Sequence, residues 1–164
     1  MLAIGDKVVY PMHGAGVIQA IEEHEVLGER QFYYILTMPF GGMKVMIPMQ
    51  SVGSIGLRDI IAEPEVQRVI DILQTAPVPV NVSWNRRFNA CLLKLKTGSI
   101  YEVAEVVKNL MSRDQIKKLS TGERRLLDTA KQILVSELVL VCQRDPGSVE
   151  EWVHDLCQEN TPGN

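Results

Sequence analysis

The chain of 164 residues is 46% hydrophobic and 23% charged, which is typical of one globular domain or two small ones. Its net charge of −3 argues against nonspecific polyanion binding by the molecule as a whole. No apolar run approaches the roughly 20 residues of a membrane-spanning helix, and the three cysteines are not spaced like a disulfide framework. Because no secretory signal is evident at the start, we expect a cytoplasmic protein.

The first 57 residues are predicted to form short strands separated by turns. A β-branched and aromatic run at residues 8–10 is followed by proline and glycine, which typically end a strand. Similar runs occupy residues 17–22, 31–38 and 43–48, with glycine-containing turns between them. Several short strands in so few residues indicate a small, strongly bent β-barrel over residues 1–57.

The last of these runs alternates between two kinds of side chain. Met43, Val45 and Ile47 alternate with Lys44 and Met46 along the predicted strand. Because successive side chains of a strand point to opposite faces, we expect the first three to be buried. Lys44 and Met46 would then face solvent or a partner.

After Ser51 the hydrophobic spacing becomes helical. Beyond Pro64, apolar residues at 66, 69, 70 and 73 follow the i, i+3, i+4, i+7 pattern of a helix, which the prolines of residues 75–82 end. Three Ser-x-x-Glu capping motifs each precede an apolar stripe, and each glutamate is expected to bond back to the serine amide. The motifs are Ser99 with Glu102, Ser120 with Glu123, and Ser148 with Glu151.

These patterns predict an α+β protein in which the β-barrel is followed by a bundle of about five α-helices. One of the helices begins near Ser83 and ends at Gly98. The helical domain is predicted to span residues 58–160, and residues 161–164 to form a loose tail.

Trp84 admits two interpretations. Helical spacing places it on one face with Phe88 and Leu95, which favours a core residue. It also lies in the first turn, directly before Arg86 and Arg87, in a segment (residues 84–125) with ten Lys and Arg against four Asp and Glu, a net charge of +6. An exposed tryptophan beside cations suits nucleic acid, because cations neutralise phosphates and the ring can wedge between bases.

Patterns typical of enzymes are weak in this sequence. His154 and Cys157 are three residues apart on a predicted helix, but no second pair completes a tetrahedral zinc site. A surface histidine and a buried thiol are favoured there, and Cys91 is expected to be a small core residue. Neither a phosphate-binding glycine loop nor a catalytic triad signature occurs, so we expect no enzymatic activity and no cofactor.

Four segments of the sequence resemble the CarD/CdnL family of bacterial transcription regulators. They are GDKVVYPMHGAGVI (5–18), YYILTMPFGGMKVMIP (33–48), SWNRRFNACLLKLKTGSIYEVAEVVKNL (83–110) and LSTGERRLLDTAKQILVSEL (119–138). The transcription-repair coupling factor shares only the barrel and is far longer. The resemblance therefore covers both predicted parts of the chain, and it implies a stand-alone protein of this family.

The resemblance implies that the barrel is Tudor-like, or SH3-like, and docks on the RNA polymerase β subunit. Docking would use an exposed strand edge, so that main-chain hydrogen bonds supply affinity. His24 and Met46 occupy positions where the family carries basic residues, and Lys44 is a nearby substitute. The implied polymerase-binding residues are His24, Val26, Lys44, Val45, Met46 and Ile47.

For the helical domain, the resemblance implies contact with promoter DNA. Trp84 would wedge into the minor groove at the upstream edge of the melted region, with Arg86, Arg87 and Lys94 binding the DNA beside it. The expected function is stabilisation of the open promoter complex by a monomer that associates with the nucleoid through RNA polymerase. The alternative is a protein–protein adaptor that uses the barrel without touching DNA.

Overall fold

A computed structural model describes residues 2–39, 42–76 and 83–158. The N-terminal part is an antiparallel sheet of five strands in the order β4-β3-β2-β1-β5. The strands are β1 (Lys7–Tyr10), β2 (Gly14–Val26), β3 (Glu29–Thr37), β4 (Lys44–Pro48) and β5 (Arg58–Asp59).

The predicted α+β class is confirmed, but the sheet is not closed into a barrel. β4 and β5 lie at opposite edges of the sheet. A bulge between Ile18 and Ala20 shifts the pairing of β2 with β3, which adds twist to the longest strand. The core on one face of the sheet contains Val8, Ile18, Tyr34, Leu36, Met38 and Ile47.

β2 and β3 form a longer hairpin than the sequence predicts. The charged residues that follow residue 22 continue β2, because they pair with β3 in a hairpin whose end is exposed on both faces. The turn lies at Leu27 and Gly28, and both have positive φ, of 53° and 82°. Positive φ at both central residues is the pattern of a type I′ turn, which matches the twist of the strands.

The prediction that Met43 is buried is wrong. β4 begins at Lys44, so Met43 lies before the strand and its side chain is exposed. Within β4 the predicted alternation is observed, with Lys44 and Met46 exposed and Ile47 fully buried.

Helices form the remainder of the described chain, and none of them in the described ranges has the length and apolar character needed to cross a membrane. After β5, five α-helices pack around one hydrophobic core, in agreement with the predicted bundle. A single helical turn, α1 (Val52–Ile55), precedes β5, and the five helices of the bundle are α2 (Val66–Gln74), α3 (Trp84–Lys96), α4 (Ile100–Ile116), α5 (Thr121–Cys142) and α6 (Pro146–Gln158).

Two of the three predicted capping motifs coincide with helix starts. Ser120 caps α5 by accepting a hydrogen bond from the Glu123 amide (3.2 Å), and Ser99 is the N-cap of α4 without a side-chain cap bond. The third motif, beginning at Ser148, does not start a helix. α6 begins two residues earlier at Pro146, because the Asp145 carboxylate accepts from the Ser148 amide (3.2 Å) and proline is favoured in a first turn.

The predicted helix break at residues 75–82 follows the observed end of α2 at Gln74. Residues 77–82 of that segment lie outside the described residues, as does the predicted tail at 161–164.

The sheet packs directly on α5 where β2 begins. The Ser136 hydroxyl accepts a hydrogen bond from the Ala15 amide (2.8 Å) and donates one to the Ile133 carbonyl (2.8 Å). A Cβ at Gly14 would lie 2.7 Å from Ser136 Oγ, and Gly14 has a φ of 116°. Glycine is therefore required at this approach, for space and for backbone conformation.

A buried ion pair joins β5, at one edge of the sheet, to α5. Glu137 is 0% exposed, and its carboxylate accepts from both terminal nitrogens of Arg58 (2.9 and 2.6 Å) and from the Ile61 amide (2.9 Å). Arg58 Nε donates to the Gly98 carbonyl (2.7 Å) between α3 and α4. β5 lies just after the predicted domain boundary at residue 57, so this pair bridges the sheet and the helices.

Loss of this carboxylate is expected to be costly. Glu137→Ala should lower the free energy of unfolding by about 3 kcal/mol, because the Arg58 guanidinium and the Ile61 amide lose a buried acceptor. Urea denaturation measures the change. As a control, Arg124→Ala breaks the partly exposed Arg124–Asp114 pair (2.8 Å) and should cost less than about 1 kcal/mol. Equal losses from the two variants would contradict a special role for Glu137.

Candidate functional site

Trp84 is the first residue of α3 and lies at a corner of the bundle. Its side chain is 41% exposed, as expected for a tryptophan at the open end of the apolar stripe. The indole stacks on Phe88, with ring centroids 5.2 Å apart and planes at 18°. The ring also packs on the start of α5, where its Cζ2 would lie 3.5 Å from a Cβ at Gly122. Trp84 therefore combines a packed edge with an accessible one.

The indole nitrogen of Trp84 is bonded to the first turn of α5. Nε1 donates to Ser120 Oγ (3.0 Å) and to Glu123 Oε1 (3.1 Å). The Glu123 side chain was expected to bond back to the Ser120 amide, but its carboxylate accepts from the indole and from the Ser120 hydroxyl (3.1 Å). Glu123 is only 4% exposed, so a buried acid holds the indole through a part-buried contact.

Two arginines converge on the same carboxylate. Arg113 Nε lies 3.5 Å and Arg87 Nε 4.0 Å from Glu123 Oε2. Arg86 is exposed and, two residues after Trp84, lies about 200° around the helix from it. The structure thus groups Trp84 with Arg87 and Arg113, whereas Arg86 projects from another face of α3.

Lys94 is paired with acidic side chains of α4. Its ammonium is hydrogen-bonded to Glu105 and lies 3.9 Å from a Glu102 oxygen. Partial burial disfavours the charged form, but the hydrogen bond and the charges of these two glutamates outweigh it and raise the pKa of Lys94. Lys94 therefore stays charged, while neighbouring carboxylates offset its field.

The other basic residues of the segment differ in accessibility. Lys108 was expected on a solvated face, but it is buried in α4. Arg124 is bonded to Asp114. Exposed cations remain at Arg86, Lys96, Lys117, Lys118 and Arg125.

The predicted polymerase-binding residues fall on two faces of the sheet. β4 is an edge strand, and Lys44 and Met46 alternate with Val45 and Ile47 along it. The Ile47 side chain is 0% exposed, so a partner could meet this residue only through its backbone.

His24 and Val26 lie on the exposed part of the β2–β3 hairpin. β4 pairs with β3 only as far as Tyr33, whereas His24 is opposite Gln31, beyond that end. The His24 ring contacts Tyr33 edge-on, with centroids 5.7 Å apart, and its Nε2 lies 3.6 Å from a Glu22 oxygen. Strand alternation places His24 and Val26 on the same face as Lys44 and Met46, further along the sheet.

His154 and Cys157 do not form part of a metal site in the structure. No group of three or more potential ligands capable of holding a metal occurs among the described residues. His154 is exposed, and burial raises the pKa of the Cys157 thiol to about 11. This thiol is therefore protonated at neutral pH and is a poor nucleophile.

The fold defines an α+β protein in two parts, with β4 at one edge of the sheet and Trp84, Arg87 and Arg113 grouped at a corner of the helices. Residues 2–61 match the family model described as CarD-like/TRCF RID domain, and residues 68–154 match CarD, C-terminal domain. The chain is 40% identical over 141 residues to the Bacillus subtilis (strain 168) protein named "Putative transcription factor YdeB", covering 86% of this chain and 92% of that protein. The chain belongs to the CarD family of transcription factors, whose N-terminal domain interacts with RNA polymerase.

Two solved N-terminal domains from Myxococcus xanthus are also similar. The 72-residue domain of CarD is 37% identical, covering 36% of this chain and 79% of that chain, with a TM-score of 0.32. The structure titled CdnLNt is 49% identical, covering 37% of this chain and 86% of that chain, with a TM-score of 0.33.

Proposed function

We propose that this protein regulates transcription initiation by binding the RNA polymerase β subunit through its sheet and promoter DNA through its helices. The observation that carries the proposal is Trp84, a half-exposed aromatic ring fixed at a helix start beside Arg87 and Arg113. The polymerase-binding part comprises residues 1–57, and the DNA-contacting part comprises residues 58–160. The active form is a monomer without chemistry of its own.

On DNA, Trp84 acts as a wedge in the minor groove at the upstream edge of the melted region. Wedging apolar side chains partly unstack base steps, and nearby arginines hold the phosphates. A contact made only in the open state shifts the closed–open equilibrium by its own free energy. About 1.4 kcal/mol of such contact shifts the equilibrium tenfold.

On polymerase, β4 supplies the free edge of the sheet. Adding a partner strand to an edge gives main-chain hydrogen bonds, while side chains on alternate positions give specificity. Lys44 and Met46 on β4, with His24 and Val26 on the hairpin, line one face beside this edge. Val45 and Ile47 contribute through the backbone and the sheet core.

Tethering explains how a chain of net charge −3 can act on DNA. By itself the helical region binds DNA weakly, because most phosphate affinity comes from cations that neutralise phosphates. Docked on polymerase, the same surface is held at high effective concentration at one place on the promoter. The Arg58–Glu137 pair keeps the two parts in fixed relation during this action.

Removal of the wedge tests the mechanism directly. Trp84→Ala is expected to shorten the lifetime of the open promoter complex about tenfold, corresponding to about 1.4 kcal/mol. The lifetime is measured with the cognate polymerase after challenge with a competitor. Leu93→Ala, which removes another exposed apolar side chain from α3, is the matched control and should leave it unchanged. An unchanged lifetime for a folded, polymerase-bound Trp84→Ala protein would exclude the wedge.

A charge reversal separates the DNA-contacting factor from an adaptor that never touches DNA. Arg86→Glu should weaken binding of the isolated protein to duplex DNA and reduce the slope of log affinity against log salt by about one. Arg30→Glu makes the same charge change in the sheet and should have little effect. An adaptor would be indifferent to both variants in this titration.

The polymerase surface is tested without DNA. Lys44→Glu should weaken binding to RNA polymerase, mainly through slower association, as expected when a charge at an interface rim is reversed. Lys96→Glu, on α3, carries the same charge change and should bind polymerase normally. Equal affinities for the two variants would place the docking surface away from β4.

A further inference from the structure

Glu123 is a buried carboxylate at the place where the proposed DNA surface begins. An acid there would ordinarily repel phosphate, and a helix cap alone does not require it to be buried. The cap of α5 is already formed by Ser120 Oγ, which accepts from the Glu123 amide. The Glu123 side chain instead binds the Trp84 indole, and Arg113 and Arg87 lie beside its second oxygen.

We propose that Glu123 is a positioning residue that fixes the indole of Trp84 in one orientation, so that the ring meets DNA as a preset wedge. The proposal rests on the function proposed above and adds a specific side chain to it. The fold then fixes in the free protein which edge of the ring faces DNA, and DNA binding does not have to reorient the ring.

The contacts of Trp84 fix both the plane and the rotation of the ring. Stacking on Phe88 and packing against the backbone at Gly122 define the plane of the indole. Within that plane, the N–H group must point to Glu123 Oε1 and Ser120 Oγ, which lie 3.1 and 3.0 Å away. Rotating the ring out of this position would leave the buried carboxylate without one of its donors, which is unfavourable.

The arginines make the carboxylate compatible with DNA. Two guanidinium groups lie within 4.0 Å of one Glu123 oxygen, so the cluster carries a net charge of +1. The same contacts restrain Arg87 and Arg113 beside the carboxylate that holds the ring. Glu123 thus organises the tryptophan and both cations without making the surface acidic.

Preorganisation is the expected gain. A side chain that is ordered before binding does not lose its rotational freedom on binding, so more of the contact free energy appears as affinity. For a wedge that acts only on the open complex, that gain appears in the lifetime of the complex.

The test uses tryptophan fluorescence in the full-length protein. The chain has two tryptophans, so Trp152→Phe leaves Trp84 as the only indole. In this background, Glu123→Met removes the acceptor but keeps a similar volume, whereas Glu123→Gln keeps an acceptor oxygen and removes the charge. Asp128→Asn removes one exposed carboxylate from the same helix and is the control for net charge. Ser120→Ala removes the second acceptor and provides an independent variant.

In the free protein, Glu123→Met should speed the anisotropy decay of Trp84 and raise its quenching by acrylamide, with Ser120→Ala changing both in the same direction. Glu123→Gln should remain close to the parent, and Asp128→Asn should match it. In the polymerase assay, Glu123→Met should shorten the open-complex lifetime about threefold, less than the loss from Trp84→Ala, because the ring is still present but is no longer ordered before binding. Glu123→Gln should retain most of the lifetime.

Two results would overturn the positioning role. One is parental Trp84 fluorescence and lifetime in Glu123→Met, and the other is an equal loss in Glu123→Met and Glu123→Gln, which would assign the effect to charge. Failure of the proposed function is recognised separately, because Trp84→Ala would then leave the lifetime unchanged. The fluorescence of the free protein still reports on the orientation of the ring in that case.

Discussion

The ion pair between Arg58 and Glu137 is the interaction on which the arrangement of the molecule depends. A carboxylate with no solvent exposure is tolerated only when it is paired and its oxygens are hydrogen-bonded. Glu137 meets that condition with donors from β5 and from the segment that follows it, while Arg58 also holds the turn between α3 and α4. The edge of the sheet, the connecting segment and the bundle therefore share one anchor.

Helix α5 carries a second buried acid that works in the same way. Glu123 gathers donors from α3 and α4 near the start of α5, and Glu137 gathers them from the sheet side, 14 residues later. An α-helix rises 1.5 Å per residue, so the two anchors lie about 21 Å apart along one rigid element. Ser136 of α5 also accepts a hydrogen bond from the Ala15 amide of β2. The sheet and the Trp84 corner are therefore both attached to α5, and the length of this helix sets the distance between them.

Local features of the structure were predictable from the sequence. The meeting of side chains that are distant in the sequence was not. Alternation in β4 and the cap at Ser120 depend on neighbouring residues, and both were predicted correctly. The α6 start was misplaced because Asp145 competes with Ser148 as a cap, and Asp145 precedes a proline. The meeting of Trp84 with Glu123 joins residues 39 positions apart, so no spacing rule on α3 could reveal it. The only available signal was a glutamate at the third position of a capping motif.

The ion pairs also determine which cations of residues 84–125 account for the net charge of +6 in that segment. Every acidic residue between positions 84 and 125 is paired with a cation of the same segment: Glu102 and Glu105 with Lys94, Asp114 with Arg124, and Glu123 with Arg87 and Arg113. The positive field therefore comes from cations outside these pairs, and Lys108 among them is buried. Few cations are left to neutralise phosphates, so affinity for DNA alone should be low and its dependence on salt shallow. A surface of this kind gains its effect from where it is held, which makes the rigid connection through α5 as important to the proposed function as the wedge.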